Sequence, residues 1–185
     1  MGVPDAMAPE IQNEIEYIAS VVPDPISFIG ASATNDVLRK EGPKAKIIHL
    51  ATHGVARHDN PMFSTIRLAD KYLTMHDFYR LQLPVQLITL SGCATGVSAV
   101  AAGDELQGLT RGLLLSGTSS LVVTLWDVQD HTTAEFMKIF YSNLFVNCDK
   151  SEAMRRTMIK FRERHPHPFH WAPFTLIGSK AAITK

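Results

Sequence analysis

The sequence predicts an α/β layered domain with a mostly parallel central sheet flanked by helices. Helix-period and strand-type segments alternate along the chain. The strand segments are near-continuous apolar runs, as expected when helices cover both faces of a sheet. A length of 185 residues fits one domain able to bury a sizeable core.

Each element has a local reason. Glu10–Ser20 carries Ile11, Ile15 and Ile18 at helical spacing, and Pro9 suits a first turn. Pro25–Gly30 is a short strand candidate. Thr34 is placed to cap a brief helix through Arg39. Lys46–Ala51 is the next strand. Val55–Tyr72 lacks helical periodicity and reads as a hairpin or loop. Thr74 opens a short helix carrying Phe78 and Leu81, followed by a strand over Val85–Leu90. Gly103–Ser116 is an apolar helix whose end is marked by Gly117. Ser120–Trp126 is strongly strand-like. Asp130 is placed to cap a long helix with Phe136, Met137, Phe140, Tyr141 and Leu144 on one side. Asp149 and Glu152 have capping-box spacing for a last helix through about Arg164. His165–Pro168 reads as an irregular connection, and Phe174–Ile177 as a final strand.

Lys plus Arg and Asp plus Glu each number 18. That balance gives no electrostatic argument for nucleic acid or an anionic membrane as partner. No apolar stretch approaches the roughly 20 residues a membrane helix needs. The N-terminus lacks the pattern of a signal peptide. Cys93 and Cys148 lie in dissimilar contexts and do not suggest a disulfide framework. A reducing cytoplasm fits this usage and would keep a thiol reactive.

Two phrases carry the chemistry: His49-Leu50-Ala51-Thr52-His53-Gly54 and Leu90-Ser91-Gly92-Cys93-Ala94-Thr95-Gly96. Each follows an apolar strand and ends in small residues that let backbone approach a ligand. In an open parallel sheet, the carboxyl ends of strands are where ligands sit. His53 and Cys93 placed there suggest a thiolate nucleophile and its general base. The plain alternatives are a buried small thiol and a turn histidine. His49 and His53 are four apart, which on a helix would suggest zinc. The strand context and the lack of a Glu after His49 disfavour this, the later His165, His167 and His170 are broken by prolines and lack cysteine partners, and His49 reads as a packed strand residue.

These phrases resemble the CHAT family, caspase-like cysteine peptidases related to separase. The resemblance extends through Gly103-Asp104-Glu105-Leu106-Gln107-Gly108-Leu109, Val123-Thr124-Leu125-Trp126-Asp127-Val128 and Trp171-Ala172-Pro173-Phe174-Thr175-Leu176-Ile177-Gly178, in family order. It implies a single caspase-like domain over residues 1–185 and a His53–Cys93 dyad. It further implies an oxyanion hole from the backbone N–H groups of Gly54 and Cys93. In the separase-like branch an acidic residue near the Trp-Asp-Val segment receives a basic substrate side chain. Here the candidates are Asp130 and Asp127. Asp104 could line the cleft, and Trp126 its wall or the core.

The resemblance also implies a strand upstream of Gly2-Val3-Pro4 that lies between Pro25–Gly30 and Lys46–Ala51. The chain is therefore expected to be truncated at its N-terminus relative to the family. Residues 1–8 are expected to replace that strand poorly. The open edge would invite a second copy.

The implied function is cysteine endopeptidase chemistry on a protein or peptide substrate, with no cofactor and no metal. It would be gated by a regulatory partner chain or a helical-repeat region. The alternatives are a catalytically silent interaction module and a non-peptidase cysteine hydrolase or transferase.

Overall fold

The computed structural model describes residues 1–55, 57, 63–92, 111–146 and 149–184. Its helices are α1 (Glu10–Val21), α2 (Asn35–Glu41), α3 (Met75–Arg80), α4 (Asp130–Leu144) and α5 (Lys150–Arg164). Its strands are β1 (Ile47–Leu50), β2 (Gly54–Val55), β3 (Thr65–Arg67), β4 (Tyr72–Thr74), β5 (Leu87–Leu90), β6 (Ser120–Thr124) and β7 (Phe174–Gly178). Residues 111–115 are helical, and Gly117 closes that turn at φ +105°. The rest of the helix expected over Gly103–Ser116 lies outside the described residues.

The central sheet runs β1–β5–β6–β7. The first three strands are parallel, and β7 returns antiparallel to β6. Side chains alternate between its two covered faces. Ile88, Leu90, Leu121 and Val123 join Leu38, Phe78 and Leu113 in one core layer. Leu87 and Val122 join Phe136, Phe140, Tyr141 and Phe161 in the other. Two apolar layers explain why these strands read as unbroken apolar runs. Phe136 stacks on Phe174 with ring centroids 3.7 Å apart and meets Phe161 edge-on at 5.3 Å.

Several helix starts follow from single side chains. Thr34 Oγ1 accepts the Val37 N–H, and Asp149 Oδ1 accepts the Glu152 N–H. Thr74 and Asp77 form a reciprocal capping box at α3. Asp130 departs from expectation. The N-cap of α4 is Gln129, and no side chain caps it. The Asp130 carboxylate instead accepts the Glu10 N–H at 2.8 Å. It satisfies an orphan donor of α1, where a negative charge is also favoured by the helix dipole.

In the region read as a hairpin or loop, the described residues Gly54–Val55, Thr65–Arg67 and Tyr72–Thr74 form the small antiparallel sheet β2–β3–β4. Pro25–Gly30 does not form the expected strand. It contributes a single bridge at Ile29, and Ile26 is 70% exposed. Pro23 and Pro25 lack N–H donors, and among the described residues the backbone bonded to Phe28 and Gly30 is that of Gly2. The Gly2 N–H donates to Phe28 O, and Gly2 O accepts from Gly30; the Val3 N–H donates to Ala51 O, and Met1 O accepts from Ala51. Gly2 thus bridges both Ile29 and Ala51 in parallel, so residues 1–3 fill positions that residues 1–8 were expected to fill poorly.

A tight backbone approach joins β1 and β5 just beyond their ends. The Ser91 N–H donates to Leu50 O at 3.0 Å. A Cβ on Gly92 would lie 1.2 Å from Thr52 O. Only glycine fits there, because the obstruction is backbone. Gly92→Ala is expected to cost at least about 3 kcal/mol, the upper end of overpacking penalties. Denaturant unfolding checks this, and an unchanged midpoint would contradict it.

Candidate active site

Parallel pairing sets Leu50 opposite Leu90. His53 lies three residues beyond Leu50, and Cys93 three beyond Leu90. The chain therefore leaves both strands at the same sheet edge. β6 ends at that edge too, and Trp126 and Asp127 follow it. Cys93 and Asp104 lie outside the described residues.

His53 is nearly enclosed, with 16% of its side chain exposed. Its Nε2 lies 3.2 Å from Asp5 Oδ1. Its Nδ1 is buried and has no hydrogen-bond partner among the described residues. Asp5 was not anticipated from the sequence. Its Oδ1 also accepts the N–H groups of Met7 and Ala8, at 2.8 and 3.2 Å. Its Oδ2 accepts from Arg67 Nη1 at 2.5 Å. Burial pushes the Asp5 pKa up, but the bonds from Met7, His53 and Arg67 outweigh this and hold it at about 2. An ionised carboxylate can only accept, so the facing Nε2 carries the ring proton. In the neutral ring the lone pair then resides on Nδ1.

Gly54 begins β2. The Arg67 N–H donates to His53 O, while Gly54 stands opposite Ile66. That makes Gly54 and Ile66 a non-hydrogen-bonded pair, with the Gly54 N–H directed away from β3. A Cβ on Gly54 would sit 3.3 Å from Thr65 O, so a small residue suits this turn.

His49 is buried in the strand, as its apolar neighbours predict. Its Nδ1 lies 3.2 Å from Tyr141 Oη, and the Tyr141 hydroxyl donates to Thr89. Its Nε2 meets Ser91 Oγ at 3.1 Å and lies 2.8 Å from Glu14 Oε1, the latter outside hydrogen-bond alignment. Burial lowers the His49 pKa, against the pull of the Glu14 carboxylate. Among the described residues no cluster of His, Cys, Asp and Glu could hold a metal ion.

The other site candidates separate. Trp126 Nε1 donates to Phe169 O at 3.1 Å, and its ring packs against the α4–α5 core layer. Asp127 is half-buried beyond β6. Asp130 is half-buried and bonded to the Glu10 N–H. Burial raises its pKa, assisted by the nearby Glu14 and Glu10 and opposed by the Glu10 hydrogen bond and by His53.

The fold is a caspase-like layered α/β domain. The chain belongs to the CHAT domain family, whose model matches residues 2–179. It is similar to Tetratricopeptide repeat protein 28 of Homo sapiens, 36% identical over 118 residues, and to that of Mus musculus, 35% identical over 118 residues. In each case the matched region covers 63% of this chain and 5% of the relative. Among the described residues no helix is long and apolar enough to cross a membrane.

The Asp5 linkage has a defined pH window. Its folded pKa lies below its ordinary value of 3.8. Its stabilising contribution is therefore full above 3.8 and lost as pH falls through about 2. Asp5→Asn is expected to flatten the acid limb of the stability curve in that window. Equal slopes in variant and wild type, measured by urea unfolding, would contradict the linkage.

Proposed function

We propose that this domain is a cysteine endopeptidase of the caspase and separase type, with Cys93 as nucleophile and His53 as general base. The observation that supports it best is the state of His53. Its Nε2 is held by a carboxylate, and its Nδ1 is a buried acceptor without a partner among the described residues, at the edge where β1 and β5 both end.

In this reading His53 Nδ1 takes the Cys93 thiol proton. The thiolate attacks the scissile carbonyl carbon, and the C–O π pair moves onto oxygen. The N–H groups of Gly54 and Cys93 stabilise that oxyanion. Such a donor is worth roughly 3–4 kcal/mol in the transition state. The imidazolium then protonates the leaving amine, the C–N bond breaks, and a thioester remains. Water attacks the thioester with His53 again as base, releasing the acid and restoring the thiol.

Asp127 and Asp130 follow β6 at the same edge and are the candidate partners for a basic substrate side chain. The hydrogen bond to Glu10 already occupies one Asp130 oxygen, which leaves the other for a guanidinium. Asp104 and Trp126 are proposed to line the cleft. A helical-repeat region or partner chain is the proposed regulator. The naming of the relatives as tetratricopeptide repeat proteins supports that arrangement.

Profiling against a peptide library tests this. Cleavage after Arg or Lys is expected, abolished by Cys93→Ala and by His53→Ala without loss of fold. Asp127→Ala and Asp130→Ala together should lower kcat/KM for basic substrates by about tenfold or more, the scale of a lost charge-assisted hydrogen bond. Absence of turnover in wild type, alone and with its regulator, would instead favour a catalytically silent interaction module.

A further inference from the structure

We propose that Asp5 is the positioning residue for His53, selecting its Nε2–H tautomer and fixing its ring, and that Arg67 locks Asp5 in place. The role deepens the proposed dyad and rests on His53 serving as its base.

Three separate pieces of chain converge here: the segment before α1, the turn between β1 and β2, and β3. None is adjacent to another in sequence, and Asp5 is 48 residues from His53. The Asp5 carboxylate is held from several directions. Met7 and Ala8 donate from the backbone, Arg67 donates from β3, and His53 Nε2 closes the set. A carboxylate with that many donors cannot swing away from the ring without abandoning several bonds at once.

A half-buried Asp–Arg pair near the surface contributes little by itself. What distinguishes this pair is the imidazole on its remaining oxygen face. Among the described residues, Asp130 at the start of α4 also influences His53 through space and is bonded to the Glu10 N–H. Arg67 is the facing cation from β3, and its charge is spent on Asp5. Among the described residues, Asp5 is the acidic side chain bonded to the His53 ring.

The consequence is chemical. The fixed proton on Nε2 keeps the Nδ1 lone pair available for a thiol. When Nδ1 gains that proton, the positive ring faces a carboxylate that is ionised throughout the neutral range. A carboxylate that orients a catalytic imidazole is worth up to about 10⁴-fold in rate in serine hydrolases.

The test uses the full chain and two readouts that do not depend on peptidase activity. The first is the 15N NMR signature of the His53 ring, assigned with His53→Gln. The second is the rate of iodoacetamide alkylation near neutral pH, mapped to Cys93 by mass spectrometry. Above the pH at which the ring loses its second proton, wild type is expected to show one neutral tautomer, protonated at Nε2. Asp5→Ala is expected to mix the tautomers and slow alkylation of Cys93 by about tenfold, the equivalent of one pKa unit in the thiolate. Asp5→Asn retains an oxygen for the Met7 and Ala8 N–H groups, so it carries the alkylation readout if Asp5→Ala fails to fold. Asp5→Glu should restore part of the rate. A folded Asp5→Ala with the wild-type tautomer and rate would overturn the proposal, as would an unchanged rate in Asp5→Asn where Asp5→Ala is unfolded. His53→Ala separates the two readings. If it leaves Cys93 alkylation unchanged, the dyad falls, whatever the tautomer result; if it slows alkylation while the Asp5 variants do not, only the role of Asp5 falls.

Discussion

The parallel pairing of β1 with β5 is the constraint on which the site depends. It sets Leu50 beside Leu90 and then presses the Gly92 backbone onto Thr52. Two motifs 40 residues apart in sequence therefore leave the sheet side by side. The sheet can hold that register because both its faces are covered, by Leu38, Phe78 and Leu113 on one side and by Phe136, Phe140 and Tyr141 on the other. A one-residue slip would turn each strand's alternate side chains toward the wrong layer.

Polar contacts refine what the apolar layers set. The buried group of Glu14, His49, Ser91, Tyr141 and Thr89 ties α1, β1, β5 and α4 together directly beneath the strand ends. Above it, Asp5 and Arg67 hold the His53 ring. Asp130 connects the starts of α1 and α4 through the Glu10 N–H. Each contact joins elements that the hydrophobic effect alone would leave free to adjust, since burial has no preferred direction.

Much of this was legible in the sequence, and the exceptions share a cause. The span of α5 and the start of α1 follow from local signals: Asp149 three residues before Glu152, and Pro9 before an isoleucine-spaced helix. The strand ends at Leu50 and Leu90 were also legible, because apolar runs ending in small residues are local signals. Pro25–Gly30 misled, because a strand exists only where a neighbouring strand pairs with it, and among the described residues this segment makes a single bridge, to Gly2. Asp130 carried a good N-cap residue's chemistry but used it on another helix. The antiparallel return of β7 and the Asp5–His53 contact are set by tertiary placement, to which no spacing rule reaches.

The central claim is that His53 activates Cys93, and the ultraviolet absorbance of the thiolate tests it most directly. The account predicts a thiolate band in wild type at neutral pH, absent in Cys93→Ser and moved to higher pH in His53→Ala. A Cys93 that titrates near the free-thiol value of about 8.5, with or without His53, would contradict it.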